Sequence, residues 1–522
     1  MTLTWPLEKT PKILTLVGND LTIDTRARKT ASSLARAGFS VISIGIDKTG
    51  LVAKTEYLDG ALLHRVTPPT RSSISSQTFR FSLPQLRDSF YHRSEEHRSL
   101  LQFLRRNLTS AKTLRASKTF FCTDLLCRLI AKACHVLHVS HDLRQKIIKQ
   151  VGIRFSRFEG KVVFFPLTFR ALLIQRRFQA TAFIYRGLVR LSQNRQPKLK
   201  KSWRSNLPEL ERYEAALGGI VDGLEADLIH VHDIFHLGLA VRSKKRAEAR
   251  GRTLIVVYDV HEHIPGLPIS LRQRAAYQNL EEEYAPQADA LVTVSPGLVG
   301  FITKRFGVSA ELILNAPDLE TATATKPLRD IIGLSADTPL IIYVGGIAPH
   351  RGAEDLVKMI PLLSPHAHLA FIAASPTGYV ATLSVLAESL GIGARVHIVP
   401  YVAPESVVSY ISSADVSVIP LSREVPNYEI ALPNKLFQSI HAQVPVVVSD
   451  NPDMSRFVSE HKIGEIFLGG DVNSMAAAVA KILNDPLPYA EALKVQSLLH
   501  KTTWSDQSKK LQKVYQGLGV NL

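Results

Sequence analysis

The sequence contains few cysteines: three of its 522 residues, Cys122, Cys127 and Cys134. An odd number cannot pair completely within one chain, and the spacing of the three matches no zinc-binding pattern. We therefore expect neither a disulfide framework nor a cysteine-bound metal, and we predict that these thiols are buried in a core.

Long apolar runs are also missing. The N-terminal stretch MTLTWPLEKTPKI contains acid and proline where a secretory signal peptide needs an unbroken apolar core. No later run approaches the ~20 apolar residues of a membrane-spanning helix. The sequence therefore predicts a cytoplasmic protein without a membrane span, and its length predicts about two to four domains.

Acidic residues are scarce in one segment of the chain. Between Arg71 and Leu210 there are 28 Lys and Arg against 7 Asp and Glu, a net charge of +21, whereas the rest of the chain has 35 against 39. Basic residues are interleaved there with Phe and Leu, as in KVVFFPLTFRALLIQRRF, with spacing that mostly indicates helices.

Three interpretations of this basic segment stay open. It is a helical insertion with a solvated basic face, a surface that docks on anionic lipid, or a nucleic-acid-binding segment, and nucleic acid is the partner we favour least. Docking on lipid would make the protein peripheral at the inner face of the cell membrane.

Strand and helix patterns alternate on both sides of the basic segment. The run KILTLVG, a helix closed by Gly38 and the strand FSVISIGI form a β-α-β unit, and the alternation resumes from Glu209. A second series runs from LIIYVGG to VPVVVSD. Alternation of this kind predicts doubly wound parallel sheets, which bind ligands at the carboxyl ends of their strands.

The fold class we predict is α/β, with two Rossmann-like domains facing a cleft. The N-terminal domain spans 1–320 and contains the basic, mostly helical insertion at about 68–208. A Thr/Ala/Pro-rich linker occupies 321–330, and the C-terminal domain spans 331–504. A last helix within 505–522 could pack back on the N-terminal domain.

The stretch LPNKLFQSIHAQ predicts a helix whose start is unfinished. Pro433 suits the first helical position, but Leu432 before it cannot cap the helix. Asn434 and Lys435 lie in the same turn, where a cation is unfavourable unless an anion neutralises both its charge and the helix dipole. We therefore expect an anion at this helix start.

A second stretch of the same domain, YVGGIAPHRGAEDL, has the features of a phosphate loop. Gly345 and Gly346 follow a buried strand and allow close backbone approach, and Arg351 stands just before the next helix. Alone, the glycine turn also fits a plain strand-to-helix connection. Combined with Lys435, it predicts a two-sided anion site that suits a diphosphate better than a monophosphate.

Histidines and acids end two strands of the N-terminal domain. ADLIHVHD contains His230 and His232, and VVYDVHEH contains His261. They form a metal site, a set of structural histidines, or a polar cleft wall for a hydroxyl-rich substrate. The spacing does not fit a helix-borne zinc site, so we favour the cleft wall, with His261 as the leading candidate.

These motifs resemble those of GT-B-fold glycosyltransferases of the large retaining family 4, which transfer sugars from nucleotide donors in polysaccharide and lipopolysaccharide assembly. DLTIDTRARKTASSLARAGFSV resembles the family's first loop and helix, VYDVHEHIP its cleft histidine motif, YVGGIAPHRGAEDLV its diphosphate loop, and LPNKLFQSIHAQVPVVVSD its donor-binding helix. The resemblance covers about 12–66 and 227–467, and the basic segment has no counterpart that we recognise.

The resemblance implies a hexosyltransferase with a nucleotide-diphosphate sugar as donor and a glycan or lipid-linked acceptor. Arg351 and Lys435 would hold the diphosphate with help from Asn434, and His261 would contact the transferred sugar. The other expected donor-binding positions are Gly18, Asn19, Gly345, Gly346 and Gln438. It further implies retention of anomeric configuration through front-face attack, with no metal and no other cofactor.

The chain departs from the family pattern at three positions. Gly346 replaces an Arg of many relatives, so Arg351 must supply more of the diphosphate binding. The family's E-x7-E pair falls on Ile430 and Gln438, and Gln438 can bond the ribose only without charge assistance. Glu429 substitutes for the first Glu after a loop shift, or is a solvated carboxylate. The alternative function is therefore a catalytically degenerate binding or scaffold protein in a membrane-associated complex.

Overall fold

The computed structural model describes residues 3–22, 24–69, 203–320, 322, 324–348, 350–373 and 378–522. They form two α/β lobes, each built on one sheet. The three cysteines and most of the basic segment lie outside the described residues, so the buried thiols and the helical insertion stay predictions. Within the described residues, no helix combines the length and apolar character needed to cross a membrane.

The described part of the N-terminal lobe has eight strands in the order β3-β4-β2-β1-β5-β6-β7-β8. In chain order they are β1 Lys12–Val17, β2 Ser40–Ile46, β3 Thr55–Leu58, β4 Ala61–Val66, β5 Leu228–His232, β6 Ile255–Val260, β7 Ala290–Thr293 and β8 Ala310–Leu312. Neighbouring strands are parallel except β3, which pairs antiparallel with β4. The predicted doubly wound fold is confirmed; the sequence analysis did not predict β3.

The helices of this lobe cover both faces of the sheet. This is seen at β1, where alternate residues belong to two different cores: Leu14 and Leu16 to one, Ile13 and Val17 to the other. These helices are α1 Thr25–Arg36, α2 Trp203–Asn206, α3 Pro208–Leu224, α4 Leu237–Glu248, α5 Leu271–Tyr284 and α6 Pro296–Phe306. Helix α1 begins where the Asp24 carboxylate accepts a hydrogen bond from the Ala27 amide at 3.0 Å.

The described C-terminal lobe has six parallel strands in the order β11-β10-β9-β12-β13-β14. They are β9 Leu340–Val344, β10 His368–Ala373, β11 Val396–Pro400, β12 Val416–Ile419, β13 Val446–Ser449 and β14 Gly464–Phe467. Because both faces are covered, the strands are almost continuously apolar, as the sequence VPVVV indicates.

Eleven helices of the described residues belong to this half of the chain. They are α7 Leu328–Ile331, α8 Ala353–Met359, α9 Gly378–Ser389, α10 Val407–Ile411, α11 Pro426–Glu429, α12 Asn434–His441, α13 Pro452–His461, α14 Val472–Asn484, α15 Leu487–Leu493, α16 Gln496–Lys501 and α17 Trp504–Gly517. Helix α7 overlaps the end of the predicted linker, 321–330, whose Thr/Ala/Pro-rich composition gave no helical periodicity.

The last helix, α17, packs on the N-terminal lobe. The indole Nε1 of Trp504 donates to the Lys29 carbonyl and to the Ser33 hydroxyl, both at 3.0 Å. The Tyr515 hydroxyl lies 2.8 Å from Nδ1 of His230 at the centre of the sheet. The chain therefore returns from the C-terminal lobe to the N-terminal lobe.

The two lobes also touch where α11 meets the loops after β6 and β7. The side-chain oxygen of Asn427 accepts a hydrogen bond from the His263 amide at 2.6 Å. The Gly297 amide donates to the Asp453 carboxylate at 2.7 Å, and the Ser295 hydroxyl donates to the Ile430 carbonyl. These bonds bring the carboxyl ends of β6 and β7 to the segment just before α12.

Candidate functional site

The start of α12 lacks a side-chain cap. Pro433 is the N-cap residue, with φ −74° and ψ 150°, and no side chain bonds the first-turn amides. The helical position predicted for Pro433 is therefore wrong by one residue: Asn434 is the first helical residue, since Pro433 has an extended backbone conformation. The unfinished start that the sequence indicated is present, with Lys435 in its first turn.

The ammonium group of Lys435 is buried without a hydrogen-bond partner in the described part of the chain. The residue is only 6% exposed, and its Nζ lies 4.2 Å from the centre of the Tyr343 ring. Burial lowers the pKa of Lys435 to about 7, and the nearby charge of Arg351 acts in the same direction. A buried amine of this kind is costly unless an anion binds it.

Arg351 lies beside the same tyrosine ring at the end of β9. The Tyr343 hydroxyl donates to the Gly346 carbonyl at 2.8 Å, and Nη1 of Arg351 donates to that carbonyl at 3.5 Å. The guanidinium carbon is 5.9 Å from the centre of the Tyr428 ring. Burial alone would lower the pKa of Arg351, but the Tyr428 and Tyr343 hydroxyls raise it above its ordinary value.

The glycine turn after β9 passes close to both cations. Gly345 has a φ of 109°, a value that favours glycine, and a Cβ built at this position would lie 3.8 Å from the Lys435 amine. A Cβ at Gly346 would lie 3.5 Å from Nη1 of Arg351. The backbone of the turn therefore lies near van der Waals distance of both cations.

His261 directly follows β6 in the N-terminal lobe. Its Nε2 is 3.2 Å from Oδ2 of Asp259, and the side chain is 19% exposed. Burial alone would lower the pKa of His261, but the Asp259 carboxylate raises it above its ordinary value. The imidazole is therefore held ready to donate hydrogen bonds.

Asp259 is the centre of a buried polar network. Both of its oxygens accept hydrogen bonds from Arg26, at 2.7 and 2.9 Å, and Nε2 of His230 lies 3.3 Å from Oδ2. Burial would raise the pKa of Asp259, yet Arg26 and His261 hold it well below its ordinary value. The network ties α1, β5 and β6 together beneath His261.

The same network contains the one group of three potential metal ligands found among the described residues: His230, His232 and Asp259. Arg26 already neutralises Asp259 through both oxygens, which leaves that carboxylate little capacity for a cation. Burial lowers the pKa of His232 to about 4, so its ring is neutral, and this form is compatible with either role. The pairing of Asp259 with Arg26 is therefore what favours structural histidines around an ion pair over a metal site.

The structure places the predicted N-terminal positions close to the histidines but with other partners. A Cβ at Gly18 would meet the Phe235 ring at 2.5 Å, so glycine is required there by packing. The side chain of Asn19 donates to Asp24 at 2.8 Å and accepts from the Leu21 amide at 3.0 Å. Asn19 thus shapes its own loop, and its predicted donor contact stays untested.

The residues discussed for the E-x7-E pattern, Gln438 and Glu429, lie in different surroundings. Gln438 is buried on α12, close enough to the Tyr401 hydroxyl to act on its pKa. Glu429 ends α11 with its carboxylate 3.5 Å from Arg423, which also binds Asp450 at 3.0 Å. Glu429 is therefore paired on a half-exposed surface, and its predicted catalytic role stays untested.

Sequence reasoning did not assign roles to several residues that line the site. Tyr343 and Tyr428 flank the cations, and Asn427 joins the lobes. Asp233 and Glu262 belong to the two histidine motifs, whose polar residues at strand ends were the signal available. The aromatic neighbours carried no such signal, because a tyrosine within a buried strand is ordinary core.

Two family profiles match separate parts of the chain. The profile described as "Glycosyl transferases group 1" matches residues 325–497, and "Glycosyl transferase 4-like domain" matches residues 173–317. Each lobe therefore contains a segment that matches a glycosyltransferase domain, and the two-lobe architecture is the GT-B fold. The second match begins within the basic segment, for which we recognised no counterpart.

Curated relatives of this chain are distant. A GDP-mannose-dependent alpha-(1-6)-phosphatidylinositol monomannoside mannosyltransferase of Mycolicibacterium smegmatis is 25% identical over 252 residues, which cover 46% of this chain and 63% of the relative. A D-inositol 3-phosphate glycosyltransferase of Corynebacterium diphtheriae is also 25% identical, over 45% of this chain and 57% of the relative. The chain thus spans less than two thirds of the length of either relative.

Solved structures share the fold over nearly the whole chain. Sucrose-phosphate synthase from Thermosynechococcus elongatus superposes with a TM-score of 0.59 at 15% identity, covering 98% of this chain and 99% of that chain. HepE from Anabaena in complex with UDP and glucose gives a TM-score of 0.54 at 14% identity, covering 97% and 100%. At this identity the likeness establishes the fold.

The buried Lys435 leads to a prediction on stability. Its pKa is lowered in the folded protein, so the unfolded chain binds more protons between about pH 7 and pH 10, and stability rises with pH over that range. We expect Lys435→Met to raise the melting temperature of the unliganded protein at pH 7, and the gain to shrink towards pH 10. Differential scanning calorimetry across this range measures both effects.

The matched control is Lys501→Met, which changes an exposed lysine on α16 of the same half of the chain. This variant should leave the melting temperature nearly unchanged at every pH. A lower melting temperature for Lys435→Met at pH 7 would mean that the ammonium group has a stabilising partner in the folded protein.

Proposed function

We propose that this glycosyltransferase moves a sugar from a nucleotide-diphosphate sugar to a hydroxyl of a glycan or lipid-linked acceptor, with retention of configuration and without a metal ion. The observation that carries the proposal is the buried ammonium group of Lys435, unpaired among the described residues and placed beside Arg351 at an uncapped helix start. A diphosphate is the ligand that satisfies both cations and the first-turn amides of α12.

The chemistry of sugar transfer explains why these groups are needed. Breaking the bond between the sugar and the diphosphate leaves negative charge on the leaving group while positive charge develops at the anomeric carbon. Cations already fixed in a site with little water stabilise that leaving group without reorganising. Arg351 and Lys435 supply this charge themselves, and this is our reason for proposing a reaction independent of a metal.

His261 is proposed to bind the transferred sugar. It projects from the carboxyl end of β6, and the loop that follows it meets α11 of the other lobe through His263 and Asn427. The Asp259 carboxylate orients the ring and raises its pKa, so that it donates to a sugar oxygen. The contact between the lobes at Asn427 would help to exclude water and limit hydrolysis of the donor.

The names of the similar proteins indicate which donors to try. One relative is GDP-mannose-dependent, and HepE was solved with UDP and glucose. The function is tested by screening UDP-glucose, UDP-galactose, UDP-N-acetylglucosamine and GDP-mannose for thermal stabilisation, and then measuring release of nucleoside diphosphate in the presence of glycan and lipid acceptors. We expect stabilisation and turnover with the same donor; stabilisation without turnover on any acceptor would favour the scaffold alternative.

The site assignment is tested by titration calorimetry with UDP and GDP. Arg351→Ala and Lys435→Ala should each weaken binding of the nucleoside diphosphate by at least about 1.5 kcal/mol, the lower range for a charge-assisted hydrogen bond. Lys501→Ala, which removes an exposed lysine, should bind as the unmodified protein does. Unchanged affinity in the first two variants would remove both residues from the site.

We also propose that the basic segment, residues 71–210, docks the enzyme on anionic lipid. Its support is the net charge of +21 and the interleaved Phe and Leu residues of the sequence. We expect the protein to float with phosphatidylglycerol vesicles and much less with phosphatidylcholine vesicles, with the difference reduced by salt. Equal flotation with both vesicles would contradict the proposal.

A further inference from the structure

Two carboxylates outside the residues assigned so far follow neighbouring strands at the carboxyl edge of the N-terminal sheet. Asp233 directly follows β5 and Glu262 follows β6, and these parallel strands are neighbours in the sheet. The Asp233 amide donates to the Asp259 carbonyl at 3.0 Å, which fixes the two strand ends side by side. We refer to Asp233 and Glu262 together as the acidic wall.

Each member of the acidic wall has one engaged oxygen and one available oxygen. Oδ1 of Asp233 accepts from the Ile234 amide at 3.0 Å, and Oε2 of Glu262 accepts from the side chain of Asn427. Among the described residues, the second oxygen of each carboxylate accepts no hydrogen bond from the protein. Both side chains are partly exposed, so these oxygens are accessible to a ligand.

The backbone of Asp233 is held in an unfavourable conformation. Its φ is 62° and its ψ is −177°, a combination that is essentially confined to glycine. Such strain persists only where the surrounding structure enforces it, and it often accompanies a functional role. Here it holds the Asp233 side chain at the edge of the sheet where ligands of this fold bind.

The acidic wall is linked to the cations through α11. The side chain of Asn427 donates to Oε2 of Glu262, and the guanidinium carbon of Arg351 lies 5.9 Å from the ring of Tyr428, the next residue along α11. In agreement with this proximity, the charges of Asp233 and Arg351 both act on the Glu262 carboxyl, and burial raises the pKa of Glu262 and of Asp233. If Arg351 and Lys435 hold the diphosphate, the group attached to it therefore lies within reach of the acidic wall.

We propose that the acidic wall selects donors whose sugar is an uncharged hexose and rejects sugars that carry a carboxylate, such as uronic acids. This inference rests on the proposed function, because it places the sugar next to the diphosphate. Carboxylate oxygens accept hydrogen bonds from sugar hydroxyls, whereas a third carboxylate at short range in a poorly solvated site is repelled. Asp233 and Glu262 are thus specificity residues of the proposed reaction.

The test compares donors that share one nucleotide. Dissociation constants are measured by calorimetry at about pH 8, where carboxyl groups are normally ionised, for UDP, UDP-glucose, UDP-xylose and UDP-glucuronic acid. If the protein binds GDP in place of UDP, the pair is GDP-mannose and GDP-mannuronic acid. We expect the uronic acid donor to bind at least about tenfold more weakly than the hexose donor, as for a like-charge contact at low solvent exposure.

The variants Glu262→Gln and Asp233→Asn keep the shape of each side chain and remove its charge. Each should reduce the ratio of the two dissociation constants several-fold, mainly by improving binding of the uronic acid donor. The matched control is Glu248→Gln, an exposed residue at the end of α4, where the helix reaches the opposite edge of the sheet. It should leave the ratio unchanged.

The outcomes separate the two proposals. If UDP and GDP fail to bind, the proposed anion site is wrong and this inference falls with it. If a nucleoside diphosphate binds but the uronic acid and hexose donors have nearly equal dissociation constants, the acidic wall does not select the sugar. The same conclusion holds if the ratio of these two constants is unchanged in both variants. UDP-xylose lacks the C6 group, so binding as weak as that of UDP-glucuronic acid would assign the effect to a lost contact and would overturn the proposal.

Discussion

The proposed active site depends on one unfavourable electrostatic arrangement, the burial of Lys435 beside Arg351. Two cations this close repel each other, and the amine lacks a hydrogen-bond partner in the described part of the chain. The surrounding apolar core of the C-terminal lobe must supply the energy that keeps Lys435 in place. A folded protein that keeps a buried, unpaired amine is organised to bind an anion, since a bound anion removes the electrostatic penalty of burying the amine.

A second constraint orients the opposite side of the cleft. The ion pair between Arg26 and Asp259 is buried and fully hydrogen-bonded, and it positions His261 from below while Tyr515 reaches His230 from the last helix. Elements that are distant in sequence therefore meet at one carboxylate. This explains how α17 contributes to the cleft without contacting a ligand: it completes the polar network on which the ring of His261 rests.

Helices cover both faces of each sheet, so strands such as LIIYV are apolar throughout. Such short apolar runs between turn residues are easily recognised in a sequence, and the fold was therefore largely predictable. The edge strand β3 was missed because TEYL is half exposed and pairs antiparallel, and α7 because four residues are too few for periodicity. The sequence indicated an anion site formed by Lys435 and Arg351, because an uncapped helix start with a lysine in its first turn needs an anion. The sequence did not indicate that Glu429 lies against Arg423, because this contact depends on a loop conformation that no local pattern determines.

The departures from the family pattern have a common consequence for the distribution of charge. With Gly346, Ile430 and Gln438 in place of an Arg and two Glu, the C-terminal side of the site has one cation and two carboxylates fewer than the family pattern. The N-terminal lobe supplies negative charge through Asp233 and Glu262, and Glu262 is fixed by Asn427 from the opposite lobe. Recognition of the sugar would therefore depend on contact between the two lobes. The carboxylate proposed to bind the sugar, Glu262, belongs to one lobe, and Asn427, which orients that carboxylate, belongs to the other.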